Sequence, residues 1–406
     1  MNREAGRIVV TGLGSLSAAG ANMGLLWENA RAARSNVRTV HPAGINLPMS
    51  VYAVAEIPAA IGKTRRLTRR ADRTVLLALR AAQEAWEAAG LEENRVEPGR
   101  CGLLVGSSRG PAETNGRVDR RRTKQPSDSA YTTFSSISGV IATALEIRGC
   151  SLMTSATCIS SAVALKTAMQ LIQSGELDVA LVGGVDATLL DSLLEQFAAT
   201  GVLSSETGPN ALRPFGRDRS GTVLGEGAAF VVLESEASAL RRRATIRGRI
   251  LHVSQGCDAG FRTGADRNGE GLRRTLESNL RFMKREPGEI DLIHVHGPGT
   301  LVNDAMESRC IANVFGPEAN QPWSWATKGL TGHTLGASTL FQVVLTLEAI
   351  RHSYIPRTAN GHDRDPACPI RLTPESGVPL RVRTALCLTS GFWGNTSCVA
   401  VGSHEG

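Results

Sequence analysis

Three short stretches concentrate the side chains able to do nucleophilic or proton-transfer chemistry. Ser155-Ala156-Thr157-Cys158-Ile159-Ser160-Ser161-Ala162 sets a cysteine between a strand-like and a helix-like segment, among small residues. At such a turn, free backbone N–H groups and the positive helix end favour thiolate over thiol, and small neighbours leave room for an acyl group. A buried structural cysteine fits the same residues, and it is the expectation for Cys101, Cys150, Cys257, Cys310, Cys368, Cys387 and Cys398, which form no CxxC pair. The second stretch, Ile293-His294-Val295-His296-Gly297-Pro298-Gly299-Thr300, reads as a strand running into a Gly-Pro-Gly loop, with His294 and His296 on one face. A metal pair there would need a third ligand, and none is evident. In the third, Trp325 to Ala337, Lys328 and His333 sit in a glycine-spaced turn before an apolar helix. That turn reads as a structural histidine or a phosphate-binding loop, although the P-loop pattern is absent and Gly12-Leu13-Gly14 falls short of a dinucleotide fingerprint.

The elements that must position these turns alternate between strand and helix, which argues an α/β chain with buried sheets. The first series runs through strand Arg7–Thr11, helix Thr74–Ala89, strand Cys101–Gly106, helix Ser136–Ile147, strand Ser151–Ser155 and its following helix, then strands Val179–Val185 and Gly227–Leu233. The second begins near Ile246 with a strand to Ser254, then helix Glu270–Met283, strand Asp291–Val295, helix Asp304–Val314 and strand Trp323–Ala326. It closes with helix Leu335–Arg351 and the strands Ala385–Thr389 and Ser397–Val401. The expectation is two similar halves, residues 1–246 with the cysteine turn and 247–406 with both histidine stretches and the lysine, although no sequence self-similarity shows a duplication. Ile159–Ser174 and Leu335–Ile350 are apolar around most of their circumference, so both belong at the centre, where their N-termini can share one buried site.

Composition narrows the class. In 406 residues, 42% are hydrophobic and 20% charged, enough to build a core and too apolar for a disordered tail. Phe 9, Trp 5 and Tyr 3 against 43 Gly imply aliphatic packing with close approach of elements. The absence of an apolar run of about 18 residues argues against a membrane span. The start, Met1 to Gly6, lacks the apolar stretch of a signal peptide, so the cytoplasm and reduced thiols are expected. A net charge of +7 favours acidic partners, while the missing zinc-finger and RNA-binding signatures argue against nucleic acid.

Taken in order, the motifs resemble those of the β-ketoacyl-acyl-carrier-protein synthases, closest in pattern to the synthase II and type II polyketide ketosynthase branch, over essentially the whole chain. They are Val9-Val10-Thr11-Gly12-Leu13-Gly14, the cysteine turn, Val182-Gly183-Gly184-Val185-Asp186, Arg213-Pro214-Phe215, Gly225-Glu226-Gly227-Ala228, the two histidine stretches and Ser390-Gly391-Phe392. The resemblance implies a thiolase-like, layered α/β/α/β/α fold and decarboxylative Claisen condensation of a carrier-bound acyl group with malonyl-carrier protein. It makes Cys158 the acyl-accepting nucleophile, His296 and His333 the neutral donors for the enolate, and Lys328 the residue that orders them. The N–H groups of Cys158 and Phe392 become the oxyanion hole, and Thr300 a partner of the phosphopantetheine arm. That arm belongs to the carrier, so no cofactor or metal is implied. Partners would be acyl carrier protein and a second subunit, in a homodimer or in a heterodimer with a chain-length-factor-like chain.

Three departures from the family pattern stand out. Pro298 replaces a threonine that would give a second pantetheine hydroxyl. Gln342 stands where a glutamate usually pairs with the lysine, leaving Glu307 as the candidate to offset Lys328. Trp393 follows Phe392 in place of glycine, which predicts a stiffer, more restrictive gate. These departures favour a specialised, polyketide-type pathway over housekeeping fatty-acid synthesis. Two basic stretches, with Arg65 and Arg66 in one and Arg120 and Arg121 in the other, are solvated faces or docking sites for an acidic carrier. The competing functions are a non-condensing acyltransferase or coenzyme A thiolase, whose second cysteine could only be Cys398, and a non-catalytic chain-length-factor-like subunit, which would lack the nucleophile.

Overall fold

A computed structural model describes residues 6–45, 47–58, 64–92, 96–260 and 266–404. Of Arg65 and Arg66 only the backbone is described, in a short helix, so these docking candidates lie outside the described side chains. The principal elements of the first half are β1 (Ile8–Ser17), α1 (Arg73–Ala88), β2 (Cys101–Gly106), α2 (Ser135–Leu145), β3 (Ser151–Thr154), α3 (Ser160–Gln173), β4 (Val179–Asp186) and β5 (Gly227–Ser235). The second half follows the same order: β6 (Gly248–Cys257), α4 (Glu270–Met283), β7 (Leu292–His294), α5 (Leu301–Phe315), β8 (Trp323–Trp325), α6 (Ser338–His352), β9 (Thr384–Ser390) and β10 (Asn395–Gly402).

The strands form a ten-stranded sheet in the order β8-β7-β9-β10-β6-β1-β5-β4-β2-β3. Each half contributes a five-stranded leaf in which its first, fifth, fourth, second and third strands lie side by side. The leaves join where Ile8–Val10 of β1 pairs antiparallel with Gly248–Ile250 of β6. Parallel pairs in each leaf follow from the crossover helices, and the antiparallel pairs involve the final two strands. Helices α3 and α6 pack on one another and on strands of both leaves, sharing one apolar core that includes Leu165, Ala168, Leu340 and Val344. A second core lies under α1 and α2, and a third under α4 and α5. This is the layered α/β/α/β/α arrangement expected from the resemblance.

Two differences from the sequence reading have physical causes. Strand β1 continues six residues beyond Thr11, through Gly12 and Gly14, which look like turn residues in isolation. A Cβ at Gly12 would lie 2.1 Å from the Ala85 carbonyl oxygen, and one at Gly14 2.1 Å from that of Ala81. The glycines therefore let α1 settle directly on the strand rather than ending it. Helix α6 begins at Ser338, after a 3-10 turn over Leu335–Ala337 that starts with Leu335 at φ 44°.

Candidate active site

The turn between β3 and α3 holds Cys158 by hydrogen bonds from small hydroxyl residues. Ser160 Oγ donates to the Thr157 carbonyl at 2.6 Å and accepts from the Ala156 N–H at 2.9 Å, while Thr154 Oγ1 donates to the Ser160 carbonyl at 2.8 Å. Thr157 sits in the left-handed region at φ 53°, an unfavourable conformation for a β-branched residue and a mark of a turn fixed by its surroundings. The thiol is buried, with Sγ 3.2 Å from His333 Nε2, and the Phe392 N–H hydrogen-bonds the sulfur. Burial pushes this thiol up to about 12, against the positive charges of Lys328 and Arg109 and the Phe392 N–H, which pull it down. The expectation of a resting thiolate is thus corrected: removal from water outweighs the helix end, and the group rests as a thiol beside a base.

His296 and His333 meet across the same space, ring centroids 5.2 Å apart and planes at 84°. Burial, then the Lys328 charge, holds both imidazoles well below their usual range, so both are neutral near pH 7. Lys328 Nζ donates to His296 Nδ1 at 3.2 Å and to the His296 carbonyl. Since an ammonium cannot accept, this bond assigns the imidazole proton of His296 to Nε2. His333 Nδ1 lies 3.1 Å from Ser338 Oγ, a hydroxyl able to donate or accept and so to serve either tautomer. His294, one strand residue before, uses Nδ1 on Thr346 Oγ1 at 3.0 Å and Nε2 on Thr327 Oγ1 at 2.8 Å. Both of its nitrogens are occupied in the core and it does not join the cleft; among the described residues no group of three or more His, Cys, Asp or Glu is arranged to hold a metal ion.

The groups suggested as support take unexpected positions. Gln342 does not meet Lys328: its Nε2 donates to the carbonyls of His294 at 3.2 Å, Val295 at 2.9 Å and Leu388 at 2.8 Å, and its Oε1 accepts from Thr389 Oγ1 at 2.8 Å. Glu307, buried on α5, accepts from the N–H groups of His296 at 2.6 Å and Gly297 at 2.9 Å. It shapes the histidine loop and acts on Lys328 through its charge, not through a direct ion pair. Burial lifts Glu307 to about 7 and its neighbour Asp304 likewise to about 7, while burial lowers Lys328 to about 8.

Cys158, His296 and His333 border a cleft of about 900 Å³. Thr300, Phe392 and Trp393 line it together with Pro298, Leu335 and Phe197. Thr300 Oγ1 also caps α5 by accepting from the Asn303 N–H at 3.3 Å. Gly391 makes the approach of the Phe392 loop possible, since a Cβ there would stand 2.4 Å from Thr157 Oγ1. Trp393 adopts φ 64° and ψ 20°, and its side chain is 59% exposed. Tryptophan thus holds a left-handed backbone that suits glycine, and its indole stands at the rim. Arg120 and Arg121 are exposed after helix Ala112–Asp119, with Arg121 paired to Asp128 at 3.2 Å. Cys398 is fully buried in β10 and does not border the cleft, which removes the candidate second cysteine of a thiolase.

Sequence reading missed Arg109, which also lines the cleft. Its signal was a single basic residue in the small-residue loop Gly106-Ser107-Ser108-Arg109-Gly110 directly after β2.

Comparison with known proteins agrees with this site. Residues 5–239 match the model of the β-ketoacyl synthase N-terminal domain and residues 247–362 that of its C-terminal domain. An oxytetracycline polyketide putative β-ketoacyl synthase 1 of Streptomyces rimosus is 31% identical across 98% of this chain and 97% of its own. The 3-oxoacyl-[acyl-carrier-protein] synthase 2 of Coxiella burnetii is 28% identical across 98% and 99%. Among solved structures, the ishigamide ketosynthase/chain length factor superposes with a TM-score of 0.89 at 29% identity, covering 98% of this chain and 99% of that one. A type II ketosynthase in complex with its acyl carrier protein does so with 0.88 at 26%, over the same shares. With both domain models matched in order around a Cys-His-His-Lys cleft, the chain belongs to the β-ketoacyl synthase family of condensing acyltransferases.

Proposed function

We propose that this enzyme extends a carrier-bound acyl thioester by decarboxylative condensation with malonyl-carrier protein, in a polyketide-type pathway, with Cys158, His296, His333 and Lys328 as its working groups. The observation that carries the reading is the 3.2 Å contact between Cys158 Sγ and His333 Nε2 inside the cleft that also holds His296. In the loading step the thiol proton passes to His333 Nε2 as sulfur attacks the thioester carbon, and the departing carrier thiolate takes that proton away. The neutral ring then exchanges its remaining proton with solvent from Nδ1 to Nε2, and Ser338 donates to the Nδ1 so freed, which leaves Nε2–H on His333. When malonyl-carrier protein follows, loss of CO₂ moves an electron pair onto the thioester oxygen, and the Nε2–H groups of His296 and His333 stabilise that enolate. The enolate carbon attacks the acyl-Cys158 carbonyl, whose oxygen develops charge beside the N–H groups of Cys158 and Phe392. Collapse releases the β-ketoacyl-carrier product and returns the Cys158 sulfur, which recovers a proton through His333.

The carrier's phosphopantetheine arm and these protein groups suffice, without a further cofactor. Thr300 at the cleft border is the hydroxyl placed for that arm, and the exposed Arg120 and Arg121 offer positive charge to an acidic carrier. A solved relative described as a ketosynthase with its acyl carrier protein, and another as a ketosynthase/chain length factor, support carrier docking and pairing with a second subunit. The presence of Cys158 favours the catalytic role in such a pair. Eight free cysteines fit a reducing compartment such as the cytoplasm. Incubation with acyl- and malonyl-carrier proteins should yield a β-ketoacyl-carrier two carbons longer, with acyl-Cys158 as an intermediate. Stable acyl-enzyme without extension would contradict condensation.

A further inference from the structure

The cleft carries a cation that loading and condensation, as derived above, do not use. Arg109 lines it close to Cys158, and its guanidinium lies over the Phe197 ring with Cζ 5.0 Å from the centroid. Phe197 in turn packs against Phe392, centroids 6.1 Å apart. Among the described residues no carboxylate pairs with this guanidinium, and its Nε is buried without a hydrogen-bond partner. Asp186, which accepts from the Arg109 N–H at 2.9 Å, is committed to that bond, to Ser107 Oγ at 2.8 Å and to the N–H groups of Ser108 and Gly336 at 3.0 and 2.7 Å. Those bonds fix the Arg109 backbone while leaving its side chain unmatched. No acidic residue lines the cleft among the described residues, so nothing there answers the charge.

The residue as a whole is half-buried, but its Nε–H is shut off from water without a partner, and such a donor gains when a ligand brings an acceptor. A pocket meant for plain alkyl chains would be better served by a hydrophobic residue beside Phe197. We propose that Arg109 is a specificity residue and that the acyl chain loaded on Cys158 carries oxygen, as a carbonyl or a carboxylate, within reach of its guanidinium. This rests on the condensing reading above and deepens it by naming the substrate class. The planar guanidinium, lying over Phe197, can present two N–H groups side by side to a carboxylate or one to a ketone.

The test uses three six-carbon acyl groups on one carrier protein: hexanoyl, 5-oxohexanoyl and adipoyl. Initial rates of Cys158 acylation are read by intact-protein mass, with alkylation of Cys158 by iodoacetamide as a measure of site integrity. The wild-type enzyme should load the better of the two oxygenated groups about tenfold faster than hexanoyl, the scale of one hydrogen bond to a charged group. Arg109→Met should abolish that preference, read within the variant as the rate of each oxygenated group relative to hexanoyl, so that the effect of the lost charge on the Cys158 thiol cancels. Arg109→Gln should keep a preference for the ketone and lose one for the carboxylate, and Arg109→Lys should do the reverse, which identifies the oxygen group. Equal wild-type rates for all three, or a preference over hexanoyl that Arg109→Met leaves unchanged, would overturn the proposal. Failure of every group to label wild-type Cys158 would instead remove the condensing reading on which it stands.

Discussion

The turn after β3 and the turn after β8 occupy matching places in two leaves of identical strand order, yet they are made of different materials. The first spans residues 155–159, with one titratable side chain, Cys158, whose burial keeps it a thiol. The second spans 326–337 and carries Lys328 and His333, tied to His296 and to the field of Glu307. One half carries a buried thiol; the other carries the two neutral imidazoles and the lysine that, in the proposed reaction, act on it. The thiol and the imidazole come together only where the leaves meet, Sγ 3.2 Å from His333 Nε2.

The largest effect should come from emptying the first turn. Cys158→Ala should abolish acyl loading, measured by intact mass, while substitution of any other cysteine leaves it intact; label at another cysteine would end the division of roles. Next, His296→Ala should lower condensation by about 10² to 10³, the scale for removing one preorganised donor, with loading nearly spared. His333→Ala should reduce both, because this ring alone touches the sulfur. Equal loss of both half-reactions in the His296 variant would erase the contrast.

A pH profile sharpens it further. Because both imidazoles lie well below their usual range, condensation should show no histidine limb near pH 6.5. It should fall as Lys328 loses its proton above about 8, and Glu307→Gln, by removing a negative charge that supports the ammonium, should move that limb to lower pH. An unmoved limb would assign it to another group. Reversing Arg120 and Arg121 to glutamate should raise the apparent KM for carrier-bound substrate several-fold, of the order expected for rim charges, and weaken its salt dependence while kcat holds. Trp393→Gly should act least: release of a left-handed residue is worth about 1 kcal/mol, seen as a small rise in Tm, with a wider range of chain lengths loaded.

Legibility followed the strength of the local signal. Cys101–Gly106 and Glu270–Met283 were readable to the residue, because an unbroken apolar run and a clean amphipathic period need no tertiary knowledge. The end of β1 was not, since Gly12 and Gly14 signal a turn unless one knows that α1 lies on top of them. In the site, residue types in order identified the cysteine, the histidines and the lysine. The ionisation of Cys158 was misread because desolvation belongs to the assembled cleft rather than to the turn. Arg109 escaped notice because its meaning lies in a partner that is missing, and no spacing pattern reports a missing carboxylate. Gln342 was visible as a departure, but its three carbonyl partners come from segments 46 to 48 residues away.

That glutamine has a mechanical consequence. It grips the carbonyls of Val295 and Leu388 and the hydroxyl of Thr389 at the points where β7 and β9 give way to their loops. Helix α6 and the two strand ends thus behave as one plate, riveted by a single carboxamide. Any swing of Phe392 to admit an acyl chain must pivot beyond Thr389, at Ser390 and Gly391, and the loop bearing His296 must pivot beyond Val295. In the proposed reaction, a Phe392 loop that moved at Ser390 and Gly391 would leave the Val295 carbonyl, next to His296, still held by Gln342.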